Sequence, residues 1–500
     1  MPNALPPLTT APTVSRDVDL LVVGLADASG GPLLIGVPDD VDRAWTKRHG
    51  TSLLASAQQL GAASKHGTTV VLPGDPGIVV TGLGGVDVTP EQVRRAAGNA
   101  VRAAAQVAGE RTLRVAVSLD PVEPDVVRGV TEGALLGAYA YQKASAEPAK
   151  TPVGALVVIT SAKDARAHVA EGVTVATAVA RARDWVNTPP NVLYPDSFAE
   201  EARALARGGR LEVEVLDDKA LARAGYGGIL AVGGGSARPP RLVRIEYAPR
   251  GATTHLALVG KGITFDTGGL NLKPAEGMIT MKCDMAGAAA VVAAVRAIAD
   301  LRLRVRVTAY AALAENMPSG AAYRPSDVLT MFGGKTVENA NSDAEGRLVM
   351  ADALVRAGQD SPDLVVDVAT LTGACVVALG ERVAGLMASD DGTADAVLDA
   401  AEASGEAFWQ LPIPEEVREN LRSDVADLAS AGKTRYGGAL TAAAFLQAFV
   451  PEGVRWAHLD IAGPAWNGQA AYDYVPKGGT GSGVRTLVAL ARSLAAGDQS

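Results

Sequence analysis

Short runs rich in Val, Leu and Ile alternate with helix-like stretches along most of the chain. The early runs read "VDLLVVGLA", "GPLLIGV", "LRVAVSLD" and "GALVVIT", with an Ala-rich helical stretch after Pro90. A second series reads "LEVEVLDD", "PRLVRIEY", "THLALVGK", "RVRVTAYAALA", "DLVVDVATL" and "WAHLDIAG". A parallel strand pair needs a crossover long enough to hold a helix, so this alternation predicts α/β folding with mainly parallel sheets. At about 100–200 residues per domain, 500 residues suggest two or three. The expected organisation is a smaller N-terminal α/β domain over 1–165, a linker helix over 166–190, and a larger C-terminal α/β domain over 191–500. The larger domain is expected to hold a mixed, mainly parallel central sheet flanked by helices. The linker helix is amphipathic and stops at Asn187, Pro189 and Pro190, because proline cannot continue a helix.

Composition narrows the function classes. Hydrophobic residues at 48 % support sizeable cores and exclude global disorder. A net charge of −9 and the lack of a dense Lys/Arg run argue against nucleic acid as the main partner. The longest apolar stretch, from Ala288, is broken by Arg296, short of the ~20 residues of a membrane span. The start, "MPNALPPLTTAPTVSRD", lacks a basic head and an apolar core and reads as a floppy leader. Cys283 and Cys375 read as reduced thiols, which places the chain in the cytoplasm.

Familiar motifs fail. "GLGG" at Gly82–Gly85 and "GGGS" at Gly233–Ser236 do not complete a dinucleotide loop and read as turns. "GGK" at Gly333–Lys335 lacks the rest of a P-loop. None of the five histidines forms H-E-x-x-H, and no G-x-S-x-G elbow exists. Hydrolytic chemistry would have to rest on carboxylates and lysines.

Such a set is present. "VGKGITFDTGG" carries Lys261 and Asp266 in an apolar setting. Lys273 follows, then Asp284 in "MKCDMAGAAAVVAAV", then Asp343, Glu345 and Arg347 in "NANSDAEGRLVMADAL". Each sits at a strand end or a helix start, and the strands' carboxyl ends form the ligand crevice of an open parallel sheet. Four converging carboxylates need cations, and two divalent metals would supply them. Taken singly, Asp284 and Asp343 also suit helix N-caps, Asp266 a glycine turn, and Lys261 a salt bridge to Asp266.

These blocks, with "LKPAEGMITMKCDMAGAAAV" and "ENMPSG", resemble the leucyl aminopeptidase family, the M17 cytosolic aminopeptidases. The resemblance is strong from about residue 165 to the end; the first ~165 residues match in architecture only. It implies Lys261, Asp266, Asp284, Asp343 and Glu345 as ligands of two divalent ions, Mn²⁺ or Zn²⁺ with Mg²⁺ or Co²⁺ as alternatives. Asp266 and Glu345 would bridge the ions. Lys273 and Arg347 would be the catalytic cations, the arginine holding a bicarbonate as general base. Thr370, Leu371 and Gly373 of "ATLTG" would lie along substrate and bicarbonate, and Met281 would line the side-chain pocket. Lys261 would ligate as a neutral amine while Lys273 keeps its proton. The chain departs from the family at Ser342 (usually threonine), Ser326 (usually glycine) and Gly234 (commonly glutamine), positions that bear on substrate preference.

The resemblance thus implies release of N-terminal leucine and other mainly apolar residues from peptides by a homohexamer, a dimer of trimers. Alternatives of other classes are a DNA-binding accessory role and a two-metal phosphatase. The acidic charge disfavours the first, and the missing histidines and the "NSDAEGR" block disfavour the second.

Overall fold

The structure, a computed structural model, describes residues 5–146, 151–208 and 210–497. The chain forms two compact units: residues up to Ala180 with Gly468–Lys477, and Arg181–Asn467 with the residues from Gly478 on. The division falls inside the long helix Ala165–Asn187.

The first unit is built on a seven-stranded sheet. Its strands are β1 (Leu8–Ala11), β2 (Leu20–Ala28), β3 (Gly31–Ile35), β4 (Thr69–Leu72), β5 (Gly77–Gly85), β6 (Leu113–Ser118) and β7 (Val153–Ile159). The order is β1-β7-β6-β2-β5-β4, with β3 also on β2. The four pairs from β1 to β5 are parallel, while β3 and β4 join antiparallel. Two readings are corrected here. Leu8–Ala11 is not part of a floppy leader but an edge strand parallel to β7. Gly82–Gly85 is not a turn but the end of β5. A Cβ on Gly82 would lie 2.2 Å from the Lys65 carbonyl oxygen, so the glycine marks a close approach of two chain segments.

The second unit contains β8 (Leu211–Leu216), β9 (Arg241–Tyr247), β10 (His255–Asp266), β11 (Arg306–Asn316), β12 (Val328–Thr330), β13 (Thr336–Glu338), β14 (Leu364–Ala369), β15 (Ala384–Ala388), β16 (Phe408–Gln410), β17 (Leu428–Ala429) and β18 (Arg455–Asp460). Eight form one sheet in the order β16-β15-β18-β14-β10-β11-β9-β8, and β12, β13 and β17 form a small one. The central strands β18, β14, β10 and β11 are mutually parallel. β9 joins β11, and β15 joins β18, antiparallel. The sheet is mixed and mainly parallel, with β10 buried over almost its whole length.

Two helices fix the central strands. By length and composition Ala275–Asp300 would pass for a membrane span, yet its main helix, Ala286–Asp300, is a core element with nearly every residue buried. Glycines bring it onto the sheet: a Cβ on Gly260 would meet Ala288 Cα at 2.6 Å, and one on Gly287 would meet the Val368 carbonyl oxygen at 2.0 Å. Helix Glu345–Gly358 shares an apolar cluster with Val259, Ile263 and Val365. Its Gly346 lies against the Lys261 side chain, where a Cβ would be 2.4 Å from Lys261 Cε.

Candidate active site

β10 supplies the first two charged groups. Lys261 and Asp266 are five residues apart, which in a regular strand puts them on opposite faces. The register of β10 against β11 shifts between Ile263 and Phe265. That bulge turns Asp266 back to the face of Lys261. Lys261 is 3 % exposed. Its ammonium lies 2.8 Å from Asp284 Oδ1 and 2.8 Å from Glu345 Oε1, and donates to the Thr370 carbonyl oxygen at 3.0 Å. Lys273 spans the other two carboxylates, 2.8 Å from Asp266 Oδ2 and 2.5 Å from Asp343 Oδ1. One oxygen each of Asp266, Asp343 and Glu345 lies within 4.8 Å of the others. Six of the seven charged groups singled out in the sequence, all but Arg347, are thus joined in one place.

Local structure decides between the simpler readings of each residue. Asp284 follows the short turn Met281–Cys283, and the helix after it is capped at Met285 without a side-chain bond. The helix starting at Glu345 is capped at Ala344, again without one. Neither Asp284 nor Asp343 is an N-cap. Asp266 does hold the glycine turn, accepting the Gly268 N–H at 2.8 Å. Its lysine partner is Lys273; Lys261 pairs with Asp284 and Glu345.

The electrostatics reflect crowding of like charge. Burial, reinforced by Glu345, pushes Asp266 up to about 6 against the pull of Lys273 and Lys261. Burial also raises Asp284 and Asp343. For Glu345 burial is outweighed by Lys261, which holds it below the usual carboxylate range. Burial opposes both lysine charges, yet the carboxylates win and raise Lys261 and Lys273. Asp284 Oδ2 and Glu345 Oε2 are buried with no hydrogen-bond partner. Buried carboxylate oxygens without donors are costly, and a cation between them removes the cost. Oxygen donors with one amine nitrogen suit Mn²⁺, Mg²⁺ or Zn²⁺.

A ring of polar residues that the sequence reading did not single out holds this set in place. Asn316 Nδ2 donates to Asp266 Oδ1 and to the Ser342 carbonyl oxygen, both at 2.9 Å. Tyr323 donates to the same carbonyl at 2.7 Å. The one legible signal was Asn316 itself, a polar residue ending an apolar strand. Ser342 keeps a hydroxyl where threonine is usual, donating to the Gly268 carbonyl oxygen at 2.7 Å and accepting the Asn271 N–H at 2.8 Å. Ser326 adopts φ 73°, the left-handed conformation that glycine enters more cheaply, so the turn is kept at some strain.

Arg347 lies in the first turn of its helix. It donates from Nη1 to the Ser430 carbonyl oxygen at 2.7 Å, while its Nε is buried without a partner. Burial pushes the guanidinium down to about 10, against Glu345 and Asp460. A buried cation with an open donor is suited to an anion. Thr370 donates to Asp284 Oδ1 at 2.8 Å, and Leu371 and Gly373 continue the segment into helix Gly373–Leu379. Met281 opens the turn that ends at Asp284 and is half-buried. Cys283 and Cys375 are both free and buried.

Comparison with known proteins places this chain among the peptidase hydrolases. Residues 180–488 match the cytosol aminopeptidase family's catalytic domain and residues 39–148 its N-terminal domain. The chain belongs to the cytosol aminopeptidase family. It is 53 % identical over 487 residues to a probable cytosol aminopeptidase of Cutibacterium acnes, covering 96 % of each chain. Identity to the Streptomyces coelicolor protein of the same description is 49 % over 522 residues, covering 98 % of this chain and 99 % of that one. Among solved structures it resembles the bottromycin maturation enzyme BotP in complex with Mn, with TM-score 0.84, 40 % identity, and coverage of 96 % and 100 %. A mutant tomato leucine aminopeptidase gives TM-score 0.86 and 33 % identity, with 98 % of each chain covered.

Proposed function

We propose that the chain removes N-terminal leucine and other mainly apolar residues from peptides with two divalent metal ions. The observation that carries this reading is the convergence of Asp266, Asp284, Asp343 and Glu345 on Lys261 and Lys273, with carboxylate oxygens left buried and unpartnered. Lys261, Asp266, Asp284, Asp343 and Glu345 would hold the ions, Asp266 and Glu345 reaching both. Bound divalent cations supply Lewis acidity for the scissile carbonyl and bring the pKa of water into the neutral range. The manganese held by BotP supports Mn²⁺ as one of them.

The chain's own residues do the rest. Lys273 would place its ammonium against the oxyanion that develops on the scissile carbonyl. Arg347 would hold a bicarbonate by its open donors, a group that would supply the general base. Met281 would line the pocket for the N-terminal side chain, and Thr370, Leu371 and Gly373 would flank the peptide backbone. The alternative role in DNA binding is unsupported: the charge is −9 and the sequence holds no dense Lys/Arg run. A cytoplasmic location and a hexameric assembly complete the reading, the first resting on the relatives' description and the second on family resemblance.

The test is metal removal. Dialysis against chelator, with metal content verified near zero, should abolish release of leucine from a leucyl peptide. Mn²⁺, Zn²⁺, Co²⁺ or Mg²⁺ should restore it. Full activity in the verified metal-free protein would overturn the reading.

A further inference from the structure

On the aminopeptidase reading above, we propose that Asp460 is the positioning residue that sets the segment Thr370–Gly373, and with it the peptide substrate, against the carboxylate–lysine cluster. Asp460 ends β18 and is fully buried. Both oxygens are in use. Oδ1 accepts the N–H of Leu371 at 3.2 Å and of Ala462 at 3.1 Å, and Oδ2 accepts the Thr372 hydroxyl at 2.7 Å. The Ile461 N–H donates to the Ala369 carbonyl oxygen at 2.9 Å, fixing the main chain beside it. The other end of the segment belongs to the cluster, because Thr370 accepts from Lys261 through its carbonyl and donates to Asp284 through its hydroxyl. Three consecutive residues thus hang between two carboxylates, one in the cluster and one on β18.

A second buried carboxylate stiffens the support. Asp367, two residues before the end of β14, binds His458 Nδ1 through Oδ1 at 2.5 Å and accepts the Trp456 Nε1–H through Oδ2 at 2.7 Å. Asp367 and His458 are register partners across β14 and β18. Trp456, His458 and Asp460 alternate along one strand and so share a face. β18 therefore grips β14 just below the segment through Asp367 and grips the segment itself through Asp460. Thr372 also caps helix Gly373–Leu379, accepting the Cys375 N–H at 3.0 Å, so the clamp sets where that helix begins. Substrate alignment tolerates displacements of only a fraction of an ångström before rate and binding suffer.

The test compares Asp460→Asn, Thr372→Val and Thr372→Ser in the metal-loaded enzyme with L-leucyl-p-nitroanilide. Metal content and thermal midpoint are recorded beside KM and kcat. Asp460→Asn and Thr372→Val should each raise KM about tenfold or more, the worth of one hydrogen bond to a charged group, with kcat changed less and metal content intact. Thr372→Ser, which keeps the hydroxyl, should stay near the parent. The double variant Asp460→Asn/Thr372→Val should be no worse than the more affected single one, since both remove the same hydroxyl-to-carboxylate bond. KM unchanged in both single variants, additive losses in the double variant, or an equal loss in Thr372→Ser would each overturn the proposal. If Asp460→Asn does not fold, Thr372→Val against Thr372→Ser decides alone. A parent enzyme that releases no p-nitroaniline overturns the aminopeptidase reading instead.

Discussion

Lys261 and Lys273 are alike in charge and lie in one cluster, yet their surroundings assign them different work. Lys261 is enclosed by Asp284, Glu345 and the Thr370 carbonyl, while Lys273 is 19 % exposed between Asp266 and Asp343. A ligand must offer a lone pair, which a guanidinium does not. Lys261→Arg is therefore expected to lower the metal content per chain, whereas Lys273→Ala should retain both ions and lose turnover. Mass-spectrometric metal analysis beside kcat checks both, and Lys261→Arg with two ions and normal activity would remove Lys261 from the ligand set. Arg347→Ala should likewise keep its metals. It should lose about 10²–10⁴-fold in kcat, the usual worth of a placed general base, together with any stimulation by added bicarbonate. An unchanged kcat would refute that role.

At the scale of elements, helix Glu345–Gly358 is anchored by a carboxylate that takes no part in the cluster. Asp352 is fully buried and accepts the Ile229 N–H through Oδ2 at 2.9 Å and the Phe332 N–H through Oδ1 at 2.8 Å. It ties this helix to helix Gly227–Gly233 and to the turn after β12. Burial pushes Asp352 up to about 7, although backbone N–H groups pull the other way. An acid whose folded pKa is raised binds more protons folded than unfolded. Its contribution to stability is thus fully present below about pH 4 and is lost as pH rises toward 7. Asp352→Asn should cost about 1–3 kcal/mol, because an amide oxygen replaces only one of the two acceptors and one N–H loses its partner. The variant should also lack this share of the decline between pH 4 and pH 7. Thermal unfolding of both proteins across that range checks the two effects. Parallel stability curves would show that Asp352 does not titrate there.

At the scale of the whole molecule, a peptidase that binds metal ions through this carboxylate–lysine cluster is expected to require a free α-amine, since one ion would anchor it. N-acetyl-leucyl peptides should be inert at enzyme concentrations that consume the free-amine peptide within minutes. Comparable cleavage of both, followed by chromatography of the products, would refute exopeptidase action. The catalytic unit gathers its charged residues from β10, from the segment after it that holds Lys273, and from two helix starts, with close glycine contacts at Gly260, Gly287 and Gly346. These contacts leave no room for a Cβ, which explains why small residues surround the charged ones in the sequence.

The α/β architecture, the central strands and all six charged groups of the cluster were legible in the sequence, because strand patterning is local and the family blocks preserve the charged positions. The edge strand Leu8–Ala11 and the end of β5 were not legible. A four-residue strand has too little pattern, and a strand rich in glycine resembles a turn until its neighbour is known. The pairing of the cluster also escaped a linear reading. Spacing suggested Lys261 with Asp266, but the bulge in β10 and the approach of two helices gave Lys261 to Asp284 and Glu345. The polar support from Tyr323 and Asp460 was equally hidden, since a hydrogen bond between residues far apart in sequence leaves no periodic trace. Sequence alone therefore determined which charged groups gather in the cluster. Tertiary structure decided which partners each meets, because those distances follow from strand register and helix packing, which are set by the whole core.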